Sequence, residues 1–269
     1  MLRELVVKMI AAELSPKTIV NYSQVVKFVV ASAVTEDGEQ VYPRKWNHDF
    51  IGLPIVEREK QHRPTVTEAG LGEILARVKG RTQVLFALLA GTGLRIGEAR
   101  AIRVGVPPSE DYSYITDDCR MVYINKSIWG GQEQTPKTPA AIRTVDIPET
   151  LAQVLRSYAV GRNGYLFATA KGRPLQSRNV LRSLHATGKK IGLHAFRRFR
   201  LTWLRKNGVP KDLERIWMGH APEEIGDIYS KLKEDEVYRR EWCERAGIGF
   251  SVVTLLHKDA VAAEPAEVA

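Results

Sequence analysis

Cysteine is almost missing: Cys119 and Cys243 are the only two in 269 residues. That number excludes a disulfide framework, and their separation does not suit a metal site. A reducing, cytoplasmic compartment is the expectation. Long apolar runs are missing too. The longest, residues 84–90, falls far short of the roughly 20 residues needed to cross a bilayer, so no membrane helix is expected. The opening Met1-Leu2-Arg3-Glu4 carries an acid at once and no small-residue cleavage site, which argues against a secretory signal. There is no Gly-x-x-x-x-Gly-Lys phosphate loop, no His-Glu-x-x-His pair and no Cys-x-x-Cys pair. Nucleotide hydrolysis and zinc chemistry therefore lose most of their support, and no metal site is expected.

The most informative absence is local. Between residues 171 and 211 there are twelve Lys or Arg and no acid, whereas residues 1–64 hold nine against eight and residues 212–269 hold seven against thirteen. The net charge of +9 is therefore concentrated in one stretch. A solvated helix face usually mixes signs, so forty-one residues without a carboxylate read as a footprint for phosphates, and nucleic acid is the expected partner. Arg178, Arg182, Lys189, Lys190, Arg198 and Arg200 are its candidate DNA contacts.

Periodicity predicts a mainly α fold. Ser15-Pro16 is an N-cap followed by proline at the first helical position, and Ile19, Tyr22, Val26, Val29 and Val30 then recur at helical spacing. A shorter helix around Leu2, Leu5, Val6 and Met9 precedes it. Residues 35–54 read as loop, and the charged stretch ending at Pro64 has the composition of a linker. Further on, residues 84–90 predict a helix buried on all sides and stopped at Gly91-Thr92-Gly93. Residues 121–128 and 143–147 are β-rich and predict a small antiparallel sheet. Helices are expected again over 178–185, 194–207, 210–218, 222–232 and 234–246, several closed by glycine. The expected organisation is a helical module over 1–56, a linker over 57–64, a larger domain over 65–250 and a tail over 251–269.

Six residues stand out for chemistry, and each has a plain structural reading beside the functional one. Arg95 enters a helix from a Gly-rich turn; it pairs there with Glu98, or it binds an anion that offsets its clash with the helix macrodipole. Lys137 lies in a loop bounded by Pro136 and Pro139. His194 and Arg197 share a helix face, His220 sits between Gly219 and Pro222, and Tyr229 falls in the apolar series Ile225, Ile228, Leu232. Read alone, these are a solvated lysine, a packed histidine, a surface arginine, a turn histidine and a core tyrosine.

Read together, they suit transesterification at phosphorus. Two arginine forks bind the non-bridging oxygens bidentately, a dense positive field helps a tyrosine hydroxyl toward its phenolate, and a lysine held at the phosphate protonates the leaving oxygen.

In order and spacing, Thr92-Gly93-Leu94-Arg95-Ile96-Gly97-Glu98-Ala99, Lys137, His194-Ala195-Phe196-Arg197, Met218-Gly219-His220 and Tyr229 resemble the tyrosine recombinase (phage integrase) family. The resemblance implies a catalytic domain that cuts one DNA strand at a time. Tyr229 would form a 3′-phosphotyrosyl link, Arg95 and Arg197 would clamp the phosphate, Lys137 would protonate the 5′-oxygen, and His194 and His220 would assist. It also implies double-stranded DNA as partner, a homo-tetramer on two paired sites, and resealing without cofactor. Two features depart from the family's pattern: Arg198 stands where many members have a second histidine, and the N-terminal module shows two clear helices where the family has about four. The competing readings are a topoisomerase-like relaxing enzyme and a non-catalytic regulator that uses helices 193–207 and 210–218 as a helix-turn-helix.

Overall fold

The structure, a computed structural model, describes residues 1–42, 45–57, 64–136, 138–221 and 231–252. The chain divides into two units, Met1–His62 and Arg63–Ala269.

In the first unit, helix α1 (Leu2–Ala11) packs on α2 (Pro16–Ala31). Ser15 caps α2, its Oγ accepting from the Thr18 amide at 3.2 Å, with Pro16 in the first turn, as the sequence predicts. The stretch expected to be loop contains one helical turn, α3 (His48–Ile51). Its start is fixed by Asn47, whose side chain accepts from the Phe50 amide at 2.9 Å. Val6, Met9, Ile19 and Ile51 form the small core of this unit.

The second unit is built around one helix. After α4 (Glu68–Arg77), α5 (Gly80–Thr92) is buried along nearly its whole length. Its run of Leu, Val, Phe and Ala leaves no polar face, so neighbours must cover it on every side. They include α7 (Glu149–Ala159) and α9 (His194–Lys206). Phe86 of α5 meets Phe196 of α9 with ring centroids 5.1 Å apart. The short α6 (Ile96–Ala101) follows α5 directly.

The main sheet takes the order β6-β3-β2-β1-β7 from β1 (Arg103–Val104), β2 (Tyr114–Ile115), β3 (Met121–Ile124), β6 (Arg143–Asp146) and β7 (Gly164–Tyr165). It is antiparallel, as expected, except that β1 and β2 run parallel. The β-rich run 121–128 is broken after Ile124. There the Ser113 hydroxyl accepts from the amides of Asn125 at 3.0 Å and Lys126 at 2.9 Å, which ends the ladder. The chain then forms a separate hairpin, β4 (Ser127–Trp129) and β5 (Gln132–Gln134).

Helices α8 (Ser177–Ala186), α9, α10 (Lys211–Met218) and α11 (Glu236–Ala246) complete the described fold. The helix expected over 222–232 lies outside the described residues except at its end. Buried Asp146 joins three elements: its Oδ2 accepts from Trp217 Nε1 of α10 at 2.7 Å and from Arg239 Nε of α11 at 3.0 Å. Among the described residues no helix is long and apolar enough to cross a membrane.

Candidate active site

The site begins at the end of α5. Gly93 closes that helix with φ +73°, and a Cβ there would meet Met218 Cε at 2.6 Å, so glycine satisfies both the turn and the close approach of α10. The turn delivers Arg95 to the start of α6. Its side chain pairs with Glu98, Nη1 to Oε1 at 2.8 Å, and its amide donates to Glu98 Oε2 at 2.9 Å. The plain pairing weighed from sequence is therefore real, but it does not neutralise the site. Glu98 is shared with buried Arg143, whose Nη2 lies 3.0 Å from Oε2. One carboxylate thus serves two guanidiniums and leaves a positive excess, while the Arg95 side chain is still 42% exposed. Burial works to raise the Glu98 pKa, yet Arg143 and then Arg95 outweigh it and hold the carboxylate below its ordinary value.

Arg197 comes from the first turn of α9 and is 5% exposed. Its Nη1 donates to the Gly93 carbonyl at 2.9 Å, and its Nη2 donates to the Met218 carbonyl and lies 3.2 Å from His220 Nε2. These contacts fix the guanidinium plane between the end of α5 and the end of α10. His220 follows Gly219, the left-handed cap of α10 with φ +62°. A Cβ on Gly219 would sit 2.9 Å from Arg143 Nη1, so this glycine lets the His220 turn lie directly on the Arg143–Glu98 pair.

His194 opens α9. It feels the charge of Arg197, Arg198 and Arg95, just as His220 feels Arg197 and Arg95. Four of the six predicted residues, Arg95, His194, Arg197 and His220, thus come together from three separate stretches of chain. Lys137 and Tyr229 lie outside the described residues.

The field at the site is predominantly positive. Burial, then Arg95, lowers the Arg197 pKa to about 10, which still leaves it protonated at neutral pH. Burial and the neighbouring arginines also lower both histidines, only partly opposed by Glu98 at His194 and by Glu214 at His220. Both rings are therefore biased toward the neutral form, which can accept a proton. Because the native state disfavours their charged forms, the unfolded chain takes up protons first as pH falls below 6.5. Their contribution to stability is thus present above that pH and lost below it. In DNA-free protein, ring-proton NMR titration is expected to give midpoints below 6.5 for both histidines. A midpoint at or above that value for either contradicts the field described.

The candidate DNA contacts separate by environment. Arg178, Arg182 and Lys190 are exposed. Lys189 pairs with Glu73 at 2.8 Å, and Arg198 donates to the Pro64 carbonyl. Arg200 is corrected: it is 2% exposed, donates to the Gly247 carbonyl, and has its pKa lowered to about 10 by burial. It points from α9 into the packing against the end of α11, so no phosphate reaches it.

Sequence reasoning missed Arg143, noted only as part of a β-rich run. The one available signal was a charged residue heading a strand whose alternate position, Val145, faces the core. Among the described residues no three His, Cys, Asp or Glu side chains gather as a metal site.

The phage integrase family model matches residues 65–236. The chain is 27% identical over 201 residues to a tyrosine recombinase XerC-like protein of Caldanaerobacter subterraneus subsp. tengcongensis, an alignment that covers 62% of this chain and 50% of the relative. It is 24% identical over 186 residues to the tyrosine recombinase XerA of Pyrococcus furiosus, covering 65% of this chain and 58% of the relative. The chain spans about half the length of the curated relatives it matches. Among solved structures, the integrase of the Tn1549 transposon in complex with a circular intermediate DNA superposes with a TM-score of 0.60 at 17% identity, over 87% of this chain and 84% of that one. The integrase from mycobacterium phage Brujita gives 0.52 at 16% identity over 96% of both chains. At such identities the likeness shows a shared fold.

Proposed function

This chain belongs to the phage integrase family, and from that premise we propose that it is a site-specific DNA recombinase of the tyrosine type. The observation that carries the reading is the convergence of Arg95, His194, Arg197 and His220 on a place where Glu98 is already shared with Arg143. Such a place has an unmet demand for negative charge and suits a phosphodiester.

In the proposed reaction the Tyr229 hydroxyl attacks phosphorus. Its proton passes to a neutral histidine of the pair, and the bond from phosphorus to the 5′-oxygen breaks. Lys137 gives that oxygen its proton, leaving a 3′-phosphotyrosyl link and a free 5′-hydroxyl. Arg95 and Arg197 bind the non-bridging oxygens as charge builds on them. The ester keeps the energy of the original linkage, so a hydroxyl from the partner strand reseals it in the reverse sense, without a cofactor.

Arg178, Arg182, Lys189, Lys190 and Arg198 serve as flanking phosphate contacts, and four copies act on two paired sites in the cytoplasm. Residues 1–56 serve as a DNA-binding module joined through 57–64 to a catalytic domain over 65–250, with 251–269 as a tail.

The test is covalent trapping on a pool of nicked duplexes of randomised sequence, in which the cut fragment diffuses away and the ester persists. A protein–DNA adduct that survives denaturing electrophoresis is expected. DNA binding with no adduct from any member of the pool would favour a non-catalytic regulator.

A further inference from the structure

We propose that a cleft separate from the four-residue cluster binds a phosphate group, with Lys171 and Arg173 as its charged ligands. The inference rests on the reading of DNA as substrate; within the acid-free stretch it names a defined cleft and two residues outside the candidate contacts given above. The cleft has a volume of about 830 Å³ and lies between the start of α5, the residue 168–174 turn and α8. Arg81, Arg100, Lys171 and Arg173 line it, together with neutral side chains and no carboxylate.

Two features make this more than a basic surface. The first is Arg100 at the cleft wall, 5% exposed. Its Nε donates to the Leu175 carbonyl, and its Nη1 donates to Ser177 Oγ at 2.8 Å and to the Ile128 carbonyl at 3.2 Å. All its partners are neutral. A buried guanidinium without a counter-charge carries a desolvation cost that an anion in the cleft would offset.

The second is the turn that presents Lys171 and Arg173. Ala168 and Pro174 bridge across it, the Thr169 amide donates to the Arg173 carbonyl at 2.6 Å, and the Gly172 amide donates to the Thr169 carbonyl at 2.9 Å. The backbone is therefore fixed before any ligand arrives, which lowers the ordering cost of binding. Elsewhere in the acid-free stretch, Lys189, Arg205 and Lys206 pair with Glu73, Glu214 and Glu68. The side chains of Lys171 and Arg173 make no such pair among the described residues.

A duplex phosphate and a free polyphosphate offer the same chemistry, and two probes separate them. The protein and its Lys171→Ala/Arg173→Ala variant, altered at two exposed positions, are compared by fluorescence anisotropy on a 30-base-pair duplex across a salt series. The same pair is compared by thermal melting with pyrophosphate. The variant is expected to bind the duplex roughly 3- to 10-fold more weakly near 0.1 M salt, with the slope of log K against log salt smaller in magnitude by about one to two. Equal affinity and slope in both proteins overturn a duplex contact at the cleft. If the unaltered protein ignores the duplex but is stabilised by pyrophosphate and the variant is not, the cleft stands as a free-anion site and the DNA reading falls. If neither probe separates the two proteins, the cleft proposal falls whatever becomes of the recombinase reading.

Discussion

Arg197→Lys is expected to lower strand cleavage about 10²–10³-fold, the scale seen when one preorganised donor to a developing anion is removed, while the chain still folds. The positive charge survives the change, so the loss isolates geometry. Arg197 now spans two carbonyls, Gly93 and Met218, and reaches His220, which only a planar fork can do at once. A lysine ammonium on one flexible stem satisfies one of those carbonyls and has no second arm for the phosphate. The carbonyl left over is buried, at a cost of about 1–3 kcal/mol. A modest fall in melting temperature is therefore expected beside the much larger loss of rate. Single-turnover cleavage of trapped nicked duplex, with thermal melting as the control for folding, checks both. Near-normal cleavage by the lysine variant would mean that Arg197 is only a structural clamp between α5 and α10.

Much of this site is legible in the sequence because glycine and periodicity mark where helices end. Gly93 and Gly219 are the left-handed caps expected of them, and the apolar run inside α5 is buried as its composition demands. The residues that hold the site together are less visible. Arg143, Arg100 and Arg200 look in the sequence like any solvated arginine, yet each is buried on backbone carbonyls supplied by distant segments. Only the folded chain brings those oxygens to them. Charge counting therefore located the basic stretch but misassigned Arg200, whose helix face only packing decides. The parallel pairing of β1 and β2 also left no trace, because strands of two residues are too short to show alternation. The break after Ile124 depends on the Ser113 hydroxyl, which the sequence places twelve residues away from the Asn125 amide it accepts.

The second large effect is expected at Tyr229. Replacing it with phenylalanine removes one oxygen and almost no volume, so folding and duplex binding should persist, whereas transesterification loses its nucleophile and no covalent product forms. A tyrosine buried merely for packing would show no such split between binding and chemistry. Tyr238 provides the internal comparison. It lies on α11 with its ring centroid 6.4 Å from that of Trp242, and Tyr238→Phe should leave adduct formation intact. The most direct measurement is therefore to digest the trapped protein–DNA complex with protease and nuclease and locate the nucleotide-bearing peptide by mass spectrometry. Attachment at Tyr229, with the adduct absent from Tyr229→Phe, is the predicted result; an adduct that persists in that variant, or that maps to Tyr238 or to any other residue, would contradict it.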